Sequence, residues 1–159
     1  MKNVFKNYYY LIVSMQQPLK TENTIIQALR SRGYKATPQR IAICKTALAS
    51  REHPSPQKIY TEIKKTNPTV SLATVYSTLG ILKEGGLIQE LNFPQGQTRY
   101  DPNLEPHINL VCINCGKIFD LEDPSARELM KRVATKAKFA PTAQRVDIYG
   151  VCKQCAAKT

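Results

Sequence analysis

Four of the five cysteines in this 159-residue chain fall into two identical spacings, Cys112-Ile113-Asn114-Cys115 and Cys152-Lys153-Gln154-Cys155. Two thiolates at this spacing chelate one tetrahedral ion without straining the backbone, and two such knuckles complete a closed four-cysteine shell for Zn2+. Gly116, directly after the first knuckle, supplies the backbone freedom such a turn needs. Four sulfurs leave no open position, so this zinc is expected to be structural and to stabilise a unit too small to rely on its core. Two other readings of the thiols stand beside it: reduced cysteines without a ligand, and a redox pair, whose sign would be one lone C-x-x-C beside a βαβ pattern. Cys44, flanked at helical spacing by Ile41 and Leu48, reads as core.

The only two histidines are His53 and His107, both in polar, proline-flanked settings and not on an apolar stripe. His107 lies near Asp101 and Glu105, and Asp120 follows Cys115 by five positions. A site mixing imidazole with carboxylate would favour iron or manganese over zinc. Taken by itself, a histidine near an acid is more often a surface residue than a ligand.

The elements that must position these groups are marked by their caps. Thr37-Pro38 opens a helix to about Ser50, Ser55-Pro56 another to about Thr66, and Ser71 a third to about Lys83. An earlier helix is predicted over Glu22 to Arg32, stopped at Gly33. In the Ser71 helix, Leu72, Val75, Leu79 and Leu82 form one apolar stripe. Its other side holds Ala73, Thr74, Ser77 and Gly80, with Tyr76 and Thr78 on the flanks. That face is small and hydroxylic, suited to close approach to DNA bases; the alternative is an exposed helix with no such role. Gly85-Gly86 ends the helix, and Leu87–Phe93 and Thr98–Asp101 read as strands around Pro94-Gln95-Gly96-Gln97. Short helices, a small-residue helix and a hairpin, in that order, describe a winged helix-turn-helix. Beyond Pro102, strands are expected at His107–Val111, Lys117–Leu121 and Gln144–Val151. A helix is expected from Pro124 to about Lys138, with Ala126, Leu129, Met130 and Val133 inward. The fold class is therefore α+β: an arm over 1–20, a winged-helix DNA-binding domain over 21–97, and a small α/β unit carrying the four-cysteine zinc site over 98–159.

Charge agrees with that division. The net charge is +11, and residues 1–90 carry 13 Lys and Arg against 5 Asp and Glu. A basic half suits a phosphate backbone, from which cationic groups release counterions. No stretch reaches the roughly 18 apolar residues of a membrane span. Lys2 and Lys6 precede an apolar run from Tyr8 to Val13 that is too short for an export signal and has no cleavage site after it, so a cytoplasmic protein is expected, and Met15 offers a second start. In a cytoplasmic setting, disulfides are disfavoured.

Several segments resemble the ferric uptake regulator family. They are Arg32-Gly33-Tyr34-Lys35-Ala36-Thr37-Pro38-Gln39-Arg40, Ser71-Leu72-Ala73-Thr74-Val75-Tyr76, Arg99-Tyr100-Asp101 and the paired knuckles with Tyr149-Gly150-Val151-Cys152. The resemblance spans about residues 22–156. It implies a homodimer with an N-terminal winged helix and a C-terminal dimerisation domain, binding pseudo-palindromic double-stranded operator DNA as a repressor. The four cysteines match the family's structural zinc ligands. His53, Asp101, His107 and Asp120 match its regulatory metal ligands, which join the two halves. Where the family has a second histidine, this chain has Asn109, which offers only a carbonyl oxygen. Asp101 resembles the peroxide-sensing branch, where bound iron(II) reacts with hydrogen peroxide, a ligand histidine is oxidised and the repressor leaves DNA. The resemblance thus implies a peroxide sensor using Fe2+ or Mn2+, with iron or manganese homeostasis as the alternative. On the DNA-binding reading, Tyr76, Thr74, Ser77 and Thr78 face bases, while Lys35, Arg40 and Lys58 meet phosphates. A zinc enzyme would need an open coordination position and a nearby base, and an RNA-binding module would carry aromatic stacking motifs; neither pattern is present.

Overall fold

The computed structural model describes residues 21–93 and 98–158; the arm expected over 1–20 and the turn at 94–97 lie outside the described residues. The chain divides between Leu104 and Glu105 into two compact units.

The first unit contains helices α1 (Glu22–Arg30), α2 (Pro38–Ala49), α3 (Pro56–Lys64) and α4 (Leu72–Glu84), then strands β1 (Gln89–Leu91) and β2 (Arg99–Asp101). Each helix begins at a Ser or Thr whose hydroxyl accepts a free backbone N–H. Thr21 takes it from Thr24, Thr37 from Arg40, Ser55 from Lys58 and Ser71 from Thr74. Such caps stabilise a helix by about 1 kcal/mol each. The helices bury Ile25, Leu29, Ile43, Ile59, Val75 and Leu79 in one core. α1 ends two residues earlier than its pattern suggested, and Gly33 takes up the reversal at φ +78°. The side chain of Arg32 donates to the Gly85 carbonyl at 3.1 Å, tying the ends of α1 and α4 together.

β1 and β2 pair antiparallel, with Gln89 opposite Asp101 and Leu91 opposite Arg99. This pairing draws β2 into the first unit, so the division falls later than the boundary expected at 97/98. Helices α2–α4 followed by the β1–β2 hairpin form a winged helix.

The second unit holds β3 (Ile108–Cys112), β4 (Ile118–Leu121), α5 (Pro124–Ala137), β5 (Val146–Gly150) and α6 (Lys153–Ala156). Its sheet has the order β4-β3-β5, with β4 antiparallel and β5 parallel to the central β3. The two faces differ. Asn109 on β3 stands opposite Asp120 and Asp147, whereas the next row is Phe119, Leu110 and Ile148. Because side chains alternate across a strand, the polar and apolar rows lie on opposite faces. The apolar stripe expected on α5 is only partly inward: Ala126 is buried, but Leu129 and Val133 are 45% and 47% exposed. α6, across the second knuckle, had no counterpart in the sequence reading. Among the described residues no helix is long and apolar enough to cross a membrane.

Candidate metal centres

The two C-x-x-C knuckles meet because their strands are parallel neighbours. Cys112 is paired with Gly150, so β3 and β5 deliver both knuckles to the same end of the sheet. The first turn closes with the Gly116 N–H donating to the Cys112 carbonyl at 2.9 Å, with Gly116 at φ +67°. The second closes with the Cys155 and Ala156 N–H groups on the Cys152 carbonyl, both at 2.9 Å. All four sulfurs then lie within 4.8 Å of one another, and Cys115 Sγ is 3.8 Å from Cys152 Sγ. A tetrahedron with Zn–S bonds of about 2.3 Å has edges of about 3.8 Å, so the donor set fits zinc in both chemistry and size.

The cluster also favours thiolate at one position. The Cys152 N–H donates to Cys112 Sγ at 3.3 Å. That bond foremost, with the Cys115 and Asn114 N–H groups, pulls the Cys112 thiol down to about 6. Cys155 moves the other way, up to about 12, chiefly through its contact with the Cys152 side chain. Cys44 is buried in the first unit's core, as expected, and burial pushes its thiol up to about 12.

Within the first unit, His53 Nε2 is 3.7 Å from Asp101 Oδ2. The cause is local. The Tyr100 N–H donates to the Pro54 carbonyl at 3.1 Å, docking β2 on the segment that carries His53. His53 itself adopts φ +46°, a left-handed conformation that is costly for a residue with a Cβ and is retained most often where side-chain direction matters. Asp101 is held from two sides: Gln89 Nε2 donates to Oδ2 at 2.8 Å and the Asn103 N–H donates to Oδ1 at 2.7 Å.

Within the second unit, His107, Asn109 and Asp120 come together on the polar face of the sheet. His107 is 5% exposed and Asn109 1%. His107 Nδ1 lies 2.7 Å from the Glu105 carbonyl, an acceptor that holds the proton on that nitrogen. Nε2 therefore directs its lone pair toward Asn109 Oδ1 at 3.3 Å and Asp120 Oδ1 at 3.7 Å. One nitrogen lone pair and two oxygens converging call for a cation between them, either a proton or a metal ion. This set fits a hard or borderline divalent ion.

The Ferric uptake regulator family profile matches residues 31–149. The chain belongs to the ferric uptake regulator family. It is 36% identical over 130 residues to the peroxide-responsive repressor PerR of Staphylococcus aureus, covering 82% of this chain and 88% of that one. Among solved structures it resembles the peroxide stress regulator of Campylobacter jejuni, with a TM-score of 0.69 and 39% identity over 82% of this chain and 98% of that chain. It also resembles the ferric uptake regulator Fur of Helicobacter pylori, a structure described as having three functional metal binding sites. There the TM-score is 0.74 and the identity 26%, over 88% of this chain and 97% of that chain.

In this member of the ferric uptake regulator family, the surface of α4 differs from expectation at one position. Tyr76 is 45% exposed and Ser77 is exposed, with Thr74 beside them. Thr78, expected on the same side, is 0% exposed, and its hydroxyl donates to the Thr74 carbonyl at 2.7 Å. It lies next to Leu79 on the core side of the helix and cannot reach a base. Lys35 is exposed just before α2, and Arg40 donates to the Lys35 carbonyl at 3.2 Å while lying over the Tyr34 ring. Lys58 pairs with Glu52 in an exposed contact. Sequence reasoning missed Gln89 and Asp147, which hold Asp101 and Asn109, and Gln57, whose Nε2 donates to the Tyr76 hydroxyl at 3.0 Å. All three act through strand register or helix packing, which no local spacing reveals.

Proposed function

We propose that the chain is a homodimeric, metal-dependent DNA-binding repressor acting in the cytoplasm. A structural Zn2+ at Cys112, Cys115, Cys152 and Cys155 braces the second unit. A regulatory Fe2+ or Mn2+ draws on His53 and Asp101 from the first unit and on His107, Asn109 and Asp120 from the second. The observation that carries this reading is the buried His107 imidazole, fixed by the Glu105 carbonyl so that Nε2 faces two oxygens. A metal that uses donors from both units would fix the pose in which two winged helices meet an operator.

Peroxide sensing is the finer reading. It is supported by 36% and 39% identity to two peroxide regulators, against 26% to the ferric uptake regulator. Iron(II) held at the site would supply electrons to hydrogen peroxide, and His53 and His107 are the imidazoles exposed to that oxidation. Thr74, Tyr76 and Ser77 on α4 would face bases, with Lys35, Arg40 and Lys58 toward phosphates. A second copy of the chain would cover the apolar surface of the second unit. Every exposed large hydrophobic side chain among the described residues, Tyr76 excepted, belongs to that unit.

The test is operator binding by fluorescence anisotropy, using protein that retains structural zinc. Fe2+ and Mn2+ are titrated anaerobically with and without hydrogen peroxide. Restoration by both metals, with only the iron form lost to peroxide, is expected. Iron-supported binding that peroxide leaves intact would instead mark a metal-homeostasis repressor. Binding with no added metal would remove the regulatory site from the mechanism.

A further inference from the structure

Asn109 is the central member of a polar chain contained in the second unit. Arg145 Nε donates to Asp147 Oδ1 at 2.9 Å, and a second guanidinium nitrogen lies 2.7 Å from Oδ2. Asn109 Nδ2 donates to the same Asp147 Oδ1 at 3.1 Å. An ionised carboxylate only accepts hydrogen bonds, so the amide can present only its NH2 group to Asp147. Its carbonyl oxygen must then point the other way, toward His107 Nε2. A flipped amide would set its oxygen against the Asp147 carboxylate. The strands make this unavoidable, since Asn109 sits in register between Asp120 on β4 and Asp147 on β5.

We infer that Asp147, backed by Arg145, is a positioning residue that locks Asn109 as a carbonyl-oxygen ligand, making this regulatory site oxygen-rich and shifting its preference away from the later divalent metals toward manganese. The inference rests on the regulatory-site reading above. An imidazole at position 109 would raise affinity along the whole divalent series, and most for the later metals. A fixed amide oxygen beside Asp120 favours the earlier, harder ion, because carboxylate and carbonyl donors suit Mn2+ while imidazole suits the later metals. The sequence departure at Asn109 is thus a change of metal preference with the site retained. Supporting residues of this kind typically alter metal affinity roughly 10- to 100-fold when removed.

The test uses the full chain with its structural zinc loaded, titrated anaerobically with Mn2+ alone and with Co2+ alone. Mn2+ is followed by electron paramagnetic resonance and Co2+ by visible absorption. Asn109→Ala is expected to weaken Mn2+ binding at least tenfold. Asp147→Ala is expected to weaken it comparably, with the double variant no worse than either single one. Asn109→His is expected to shift the Co2+ to Mn2+ affinity ratio at least tenfold toward Co2+ and to change the cobalt bands. Asp147→Asn, which keeps the side-chain shape, serves as the second variant, and zinc content with thermal melts before titration shows that each variant is folded. If Asn109→Ala binds Mn2+ like the wild type while His107→Ala does not, the inference falls and the regulatory site stands. If His107→Ala also binds like the wild type, both fall.

Discussion

Gln89 and Asp101 face each other across the β1–β2 hairpin, and the Gln89 amide donates to Asp101 Oδ2 at 2.8 Å while also donating to the Asn103 carbonyl at 2.8 Å. One side chain thus fixes both a metal-ligand candidate and the chain that leaves the hairpin. Gln89→Leu should weaken Mn2+-dependent operator binding about tenfold, in the range usual for groups that orient ligands. Zinc content should not change, because the four cysteines lie in the other unit. Metal titrations followed by anisotropy check this; an unshifted midpoint would leave Gln89 as a brace of the hairpin alone.

Tyr76 and Thr78 are two residues apart on α4 and face opposite environments. Tyr76→Ala should reduce discrimination between operator and scrambled duplex by about 1–3 kcal/mol, the worth of a specific base contact. Thr78→Ala should leave that discrimination intact. It should instead cost about 1 kcal/mol of stability through the lost hydrogen bond to the Thr74 carbonyl. Competition binding and urea unfolding of the two variants separate the roles.

The candidate metal donors were legible in the sequence for reasons that differ. The knuckles announce themselves by local spacing, and strand register has only to bring them together. His53, Asp101, His107 and Asp120 have no such local signature; the family resemblance singled them out, and the structure groups them unit by unit. Thr78 was misplaced because a threonine's hydroxyl reads as polar, whereas in a helix it can satisfy itself on the carbonyl four residues back and turn inward. Leu129 and Val133 were expected inward because periodicity reports which face is apolar, and it is silent on whether this chain or another covers it.

Cys44 and the four clustered cysteines should react differently with an alkylating reagent. The thiolate is the reactive form, and burial has pushed Cys44 up to about 12. At pH 8 only on the order of one molecule in ten thousand carries the Cys44 thiolate, since each unit of pKa is a factor of ten. Sign matters: modification of the folded protein should increase only as pH rises toward that value, and fall away below it. With zinc bound, iodoacetamide at pH 8 should leave all five cysteines intact. After chelation, Cys112, whose thiol is pulled down to about 6, should be labelled first, Cys155, pushed up to about 12, should lag behind it, and Cys44 should be spared until denaturant is added. Peptide mass spectrometry reads this directly, and early labelling of Cys44 would show that the first unit's core opens.

Ile148 lies in the apolar row with Leu110 and Phe119, on the sheet face opposite Asn109. It is 51% exposed in a single chain, and Phe119 is 42% exposed. Burying such side chains against a second copy is worth about 1.5–3 kcal/mol each. A buried unpaired charge there costs several kcal/mol more. Ile148→Arg should therefore raise the dimer dissociation constant at least about 100-fold, equivalent to roughly 2.7 kcal/mol, and produce monomer in sedimentation velocity at micromolar concentration. Asp147 and Asn109 point to the other face, so the second unit should keep its zinc. On the proposed repressor function, operator affinity should fall with the dimer, because two half-sites would be read by two linked winged helices. A variant that stayed dimeric would direct attention to the exposed stripe of α5, where Val133→Arg tests Leu129 and Val133 in the same way. Dimers surviving both changes would rule out this apolar surface as the interface.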